Sequence, residues 1–382
     1  MRRDITLIAI SMFIWGVGEG MFIYFQTIYM AQMGANPETI GIILSAAGLV
    51  FTFVHIPAGY FADRIGRKPL LLASWMLGVV AIGVQAAAKN LSMLVVGILL
   101  YGFTAFVSSP LSSYLTAARG RLSVGRILTL ISAFYNLGGV IGSILGGRIG
   151  EQFGLSKNYL IALGFVSISA IILFFIRSQP VEKQSLIEKG NGSFLKPIYL
   201  TYLGVIFLAG FAMVLAQPLT PIFLRDQRGL SVEIIGRLYA MSSIGMVLLS
   251  LALGQLPARV GYLLAQLAVG LFSILIWKGT GLPWFTAGLC FMGGYRTARS
   301  LAAAQSRELV PPEKMGMAYG MTETVGGSAF VLAPLLAGYL YTRNPVQMYN
   351  LAAILIMFTL CITVIFFVRH PQKSKELINN QT

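Results

Sequence analysis

Apolar residues in this chain seldom alternate with polar ones; they run on in long stretches separated by short polar breaks. Stretches of about 20 residues, enough to cross a bilayer, lie near 5–30, 38–60, 70–88, 91–115, 126–149 and 157–176. They resume near 198–224, 231–256, 262–279, 284–306, 315–341 and 346–368. Lipid offers backbone amides no partners, so apolar runs of this length are helices. The pattern predicts an all-α membrane protein with twelve transmembrane helices, six on each side of one hydrophilic stretch. That stretch, 177–197, carries Arg177, Glu182, Lys183, Glu188 and Lys189. It divides the chain into a first bundle over 1–176 and a second over 198–382 that includes a short tail.

Composition agrees with the pattern. The chain is 56% hydrophobic and 11% charged, against about 25% charged in soluble domains. Its 42 glycines suit helices that approach closely in lipid. The net charge of +15 invites a nucleic-acid reading, but the basic residues fall in the short breaks between spans, where they orient a membrane protein. If the linker and both termini face the cytoplasm, eighteen Lys and Arg lie on that side, eight lie outside, and Arg296 and Arg299 lie within a span. The expected location is a bacterial inner membrane. Cys290 and Cys361 sit inside apolar runs, and His55 and His370 are the only histidines, so neither a disulfide framework nor a metal cluster is expected. No cofactor is expected either. No Walker sequence, His-Glu-x-x-His or nucleophile with a base partner occurs, which argues against ATP-driven transport and against an enzyme.

The break from Gly59 to Pro69 reads Gly-Tyr-Phe-Ala-Asp-Arg-Ile-Gly-Arg-Lys-Pro, a dense polar and basic loop. A worn copy follows 195 positions later, from Gly254 to Gly261, with Ala258 in the place of Asp63. The arrangement Gly-x-x-x-Asp-Arg-x-Gly-Arg-Lys resembles the cytoplasmic signature loop of the major facilitator superfamily. The resemblance implies two pseudo-symmetric bundles around a central cavity, alternating access without a cofactor, and function as a monomer on a small-molecule substrate. It also implies that Gly59, Asp63, Arg64, Gly66, Arg67 and Lys68 form a cytoplasmic gate, with Asp63 facing the start of the eleventh span near Pro312 and Glu313. Gly138, Gly142, Ser143, Gly146 and Gly147 in the fifth span resemble the Gly-x-x-x-Gly-Pro-x-x-Gly-Gly motif of drug–proton antiporters, with Ser143 in the proline position. A packing seam of small residues is the other reading of these positions. Two departures bear on coupling. Residues 115–126 hold no acid, and the fourth span has Ile98-Leu99-Leu100-Tyr101-Gly102 where proton-coupled relatives often carry Arg-x-x-Gln-Gly.

Charges inside lipid are costly, about 2.5–3.5 kcal/mol each on insertion scales, and mark function or pairing. Of thirteen acidic residues only Glu19 and Glu323 lie well inside predicted spans. Trp15, Glu19, Phe22 and Gln26 follow a 4-3-4 spacing and share one helix face. Glu19 is read as a carboxyl that alternates between protonated and ionised forms, or else as a structural, permanently paired acid. Arg299 and Glu323 lie at similar depth on adjacent spans, so a buried ion pair is expected, leaving Arg296 for the cavity. The alternative has both arginines holding an anionic substrate. Gln26, Gln85, Tyr101, Asn136, Gln217 and Tyr319 are polar groups that either contact substrate or bridge helices. Pro218 and Pro221 predict a bend in the seventh span. The functional expectation is proton-coupled export of an amphiphilic or cationic compound. Uptake or exchange of an organic anion is the alternative, and a non-transporting sensor a distant third.

Overall fold

A computed structural model describes residues 3–120, 124–179, 196–310 and 315–370, with backbone alone over 55–65, 109, 124–125, 307–308 and 315–320. The described chain is helical throughout its ordered elements. The first six spans are α1 (Arg3–Gln32), α2 (Pro37–Ile65), α3 (Arg67–Ala86), α4 (Leu91–Ala118), α5 (Val124–Phe153) and α6 (Leu155–Phe174). The second six are α7 (Pro197–Asp226), α8 (Val232–Leu253), α9 (Ala258–Lys278), α10 (Leu282–Met292 continuing as Gly294–Leu309), α11 (Met315–Arg343) and α12 (Gln347–Arg369). Eleven are long and apolar enough to cross a membrane on those grounds alone. The twelfth, α10, is divided at Gly293 and carries Arg296 and Arg299. The Arg177 N–H at the end of α6 donates to Asp4 at the start of α1, and Arg259 at the start of α9 reaches the end of α12. These ends therefore share one side of each set of helices, and the opposite side is the far face.

Local chemistry explains the breaks. Asn36, Asn90 and Ser231 accept backbone N–H bonds at the starts of α2, α4 and α8, the usual use of these side chains at an N-cap. In α1 a turn of 3₁₀ helix interrupts Ile23–Phe25. In α7 helix ends at Leu215 and resumes at Thr220. Pro218 has no N–H to continue the ladder, and the Gln217 amide turns back to donate to Met213 O at 2.8 Å. The signature segment differs from the loop expected of it. Helix α2 runs on to Ile65 and α3 starts at Arg67, with Gly66 alone between them at φ 92° and ψ 159°. Only glycine adopts that conformation readily. Arg67 then donates to Gln179 and Lys68 to the Phe174 carbonyl at the end of α6. In the second six helices Arg259 makes the matching tie, to the carbonyls of Phe367 and His370 at the end of α12.

Packing follows the same scheme twice. Helix α5 packs on α1 and α8, while α11 packs on α7 and α2. Glycine decides how close they come. A Cβ on Gly138, Gly142 or Gly146 would strike the carbonyl oxygens of Phe13, Val17 and Met21 on α1, and one on Gly236 of α8 would strike Ser143 O. On the other pair, a Cβ on Gly41 would strike Pro334 O, and one on Gly338 would lie 2.6 Å from Pro37 O. These approaches between the first six and last six helices fall in their far halves. The Glu151 carboxylate adds to them, accepting from the Val232 N–H at the start of α8 at 2.7 Å. The two sets of helices therefore meet at the far face. Polar cross-links hold the first set together. Asn158 of α6 donates to Met21 O and Gly146 O, both at 2.9 Å, and Trp75 donates to Ser169, which donates in turn to Ser11 O.

Candidate functional site

Glu19 sits half-buried on α1, one helical turn beyond Trp15, whose indole N–H donates to its Oε2 at 3.0 Å. The Tyr135 hydroxyl of α5 donates to the same oxygen at 2.9 Å. Tyr101 of α4 closes the third side: its ring stacks on Trp15 with centroids 6.5 Å apart and meets Phe22 edge-on at 5.5 Å. On the far side of the carboxyl, Tyr24 is stacked on Tyr239 of α8 at 4.7 Å and shares a hydrogen bond of 3.2 Å with Ser243. Arg296 of α10 completes the cluster. The residue is exposed, and its guanidinium lies within hydrogen-bond reach of the Tyr135 hydroxyl and electrostatic reach of Glu19 and Tyr24. An acid from the first six helices thus faces a base from the last six across an aromatic lining. Such a site can hold an amphiphile by its rings and a charge by either pole.

A second charged locus lies within the last six helices. Arg299 donates through Nε at 2.8 Å and also through Nη2 to the same oxygen of Glu323, Oε2. The pair is partly shielded, with side-chain exposures of 27% and 40%. Its guanidinium also lies 5.7 Å from the ring centre of Phe51 on α2, so the pair touches the opposite set of helices. Phe51, Thr52 and Thr324 line a small pocket around it.

Gln26, Asn136 and Gln217, read from the sequence as substrate contacts or helix bridges, bond within or between the helices. Gln26 is 6% exposed and donates to Gln85 at 3.4 Å, while Gln85 donates on to Gly97 O. The 3₁₀ turn before Gln26 ends the helix face that begins at Trp15. Asn136 is 9% exposed and donates to Ser132 on its own helix. Gln217 serves the break in α7. Ser143 bonds to Val140 O, and α5 stays a single helix through it. Of the signature residues, Gly66, Arg67 and Lys68 are seen. The side chains of Asp63 and Arg64, any substituent contacts at Gly59, Pro312 and Glu313 lie outside the described residues, as does the side chain of Tyr319. Tyr24, Tyr135, Tyr239 and Ser243 were not singled out from the sequence. Their phenols and hydroxyl look like ordinary lining residues until helix contacts are known.

Comparison with known proteins agrees with this architecture. The model of the Major Facilitator Superfamily matches residues 8–276 and 203–381. An uncharacterized MFS-type transporter of Methanocaldococcus jannaschii is 21% identical, covering 97% of this chain and 98% of its own. Multidrug resistance protein MdtG of Proteus mirabilis is 24% identical over 97% of each chain, and multidrug resistance protein 2 of Bacillus subtilis 22% over 90% of each. Among solved structures, a point mutant of the nucleoside transporter NupG superposes with a TM-score of 0.80 at 15% identity, covering 96% of this chain and 100% of that one. The human organic anion transporter MFSD10 gives 0.69 at 17% identity, over 95% and 99%. At such identities the structures speak to fold alone, whereas the family model spans nearly the whole sequence. This chain belongs to the Major Facilitator Superfamily of membrane transporters.

Proposed function

We propose that the protein exports amphiphilic, cationic small molecules in exchange for protons, by alternating access. The observation that carries this reading is the Glu19 carboxyl, half-buried among Trp15, Tyr101 and Tyr135. A proton and an organic cation compete for one such carboxylate, so binding of either favours release of the other, and the two are linked reciprocally. Aromatic faces add attraction for a cation and for the apolar body that carries it. Neutralising the acid by either route also spares the rocking bundles the cost of a bare charge in lipid. The curated relatives named as multidrug resistance proteins support the substrate class.

In this proposal the two sets of six helices are the rocking units. The termini lie in the cytoplasm, following the charge bias, and the membrane is a bacterial inner membrane. The far face is then external, and its glycine-lined contacts make this the arrangement closed to the outside. Asp63 and its basic neighbours act when the cytoplasmic side closes in turn. A single chain suffices.

One observation favours the anion reading as second choice: Arg296 is accessible and forms no direct ion pair with a carboxylate among the described residues. Planar forked donors suit carboxylate or phosphate. A panel of organic cations, anions and neutral amphiphiles, tested in proteoliposomes with an imposed pH gradient, separates the two. Gradient-driven accumulation of cations supports the proposal. Accumulation restricted to anions, and abolished in Arg296→Gln, would replace it with the second reading.

A further inference from the structure

We infer that Tyr135 is the positioning residue of Glu19, and that the glycine seam between α1 and α5 serves to hold it in reach. The inference rests on the reading of Glu19 as the coupling acid. Two donors converge on one oxygen of that carboxyl: Trp15 Nε1 at 3.0 Å and the Tyr135 hydroxyl at 2.9 Å, both on Oε2. An indole N–H only donates, so Oε2 is held as an acceptor. Neither of these two donors reaches Oε1, so that oxygen can carry the exchangeable proton and meet the substrate, with the Tyr101 hydroxyl also within hydrogen-bond reach of the carboxyl. On deprotonation the O–H bond at Oε1 breaks, the proton passes to water, and the substrate's positive charge takes its place beside the carboxylate. No redox change is involved.

The two donors have different origins. Trp15 is four residues before Glu19 on the same helix, so α1 supplies it unaided. Tyr135 comes from another helix and arrives only because the backbones nearly touch. A Cβ on Gly16 would strike the carbonyl oxygen of Tyr135 itself, and one on Gly138 would lie 2.8 Å from Val17 N. A wider separation of α1 and α5 would leave Oε2 with the indole alone. The small-residue motif of α5 thus has a consequence at the acid, beyond packing.

Three other groups face Glu19, and the Tyr101 hydroxyl is itself within hydrogen-bond reach of the carboxyl. Tyr101 comes from α4, Arg296 from α10 and Tyr24 from α1 itself, the last held by Ser243 and Tyr239 of α8. Helix α6 brings Tyr159 against Phe22 and Tyr29 instead.

The test is Tyr135→Phe in full-length protein reconstituted in proteoliposomes, with Glu19→Gln beside it. The phenyl ring keeps the seam and removes the hydroxyl, which donates to Glu19 and also lies within hydrogen-bond reach of Arg296. A hydrogen bond to the ionised form favours that form, so its loss should move the pH profile of transport to the alkaline side. The expected displacement is roughly tenfold in proton concentration, the size of one hydrogen bond to a charged group. The infrared carboxyl band assigned through Glu19→Gln should shift in Tyr135→Phe as well. Trp15→Phe should move the profile in the same sense, and it serves as the second variant should Tyr135→Phe fold poorly. If both variants keep the wild-type profile and band while Glu19→Gln abolishes gradient-driven transport, the positioning role is overturned and the coupling reading stands. If Glu19→Gln transports with the wild-type pH profile, the coupling reading itself fails and this inference with it.

Discussion

Replacing Gly142 by alanine puts a methyl group where Val17 already stands. The new Cβ would meet the Val17 carbonyl oxygen, lie 2.9 Å from Val17 C and 3.0 Å from Gly20 Cα. All three are backbone atoms of α1 and cannot turn aside as a side chain can. Overpacking of this kind typically costs about 1–3 kcal/mol. Two other glycines provide the opposite sign. Nothing lies within 4 Å of a Cβ on Gly164 in α6, and one on Gly139 would meet only Ser243 Oγ, at 4.0 Å. Alanine there removes glycine's backbone entropy and should stabilise a helix by about 0.5–1 kcal/mol. Both positions are mid-helix and share that gain, so Gly142→Ala and Gly164→Ala should differ by the overpacking cost, roughly 1–3 kcal/mol. Equilibrium unfolding in mixed micelles measures the difference. Equal stability of the two variants would refute the claim that the α1–α5 seam is closed to a single methyl group.

Breaking the Arg299–Glu323 pair from either side should destabilise by about 1–3 kcal/mol, less than the 3–5 of a fully buried pair because Glu323 is partly open. Replacing both should recover much of the loss, and a double-mutant cycle in the same micelles measures that recovery. Gly66→Ala should cost about 1–3 kcal/mol, because its φ of 92° lies where side chains are strained; a melting temperature equal to the parent's would deny that the turn needs glycine. On the proposed gating role, Asp63→Asn should lower transport with little loss of folded protein. Weakening by about 0.3–2 kcal/mol at a helix N-terminus would raise labelling of cysteines introduced on the cytoplasmic face.

The number and order of spans were legible because lipid leaves a chain few choices: a long apolar run must satisfy its own backbone. The depth of Arg299 and Glu323 could be counted along antiparallel helices, and the structure puts them in contact. Gln26 shows where counting stops. Its spacing places it on the Trp15–Glu19 face only if α1 is continuous, and the 3₁₀ turn at Ile23–Phe25 breaks that register. The same turn brings Tyr24 to Tyr239 and Ser243, a contact 219 residues apart for Tyr24 and Ser243 that no local pattern announces. Tyr135 was missed for a related reason. Its hydroxyl reaches Glu19 because glycines set the distance between two helices, and that distance is a property of the pair. The signature segment was recognisable by residue type, yet its shape was misread, since polar side chains at the end of a helix look like a loop in one dimension.

Proton release on substrate binding tests the central claim most directly. Purified wild-type protein in weakly buffered detergent solution, mixed with a transported organic cation, should release protons into the medium. Glu19→Gln, which keeps nearly the same volume but cannot ionise, should release none and should bind the cation more weakly, without dependence on pH. Proton release of equal size from Glu19→Gln would contradict the account and move the exchange site away from this carboxyl.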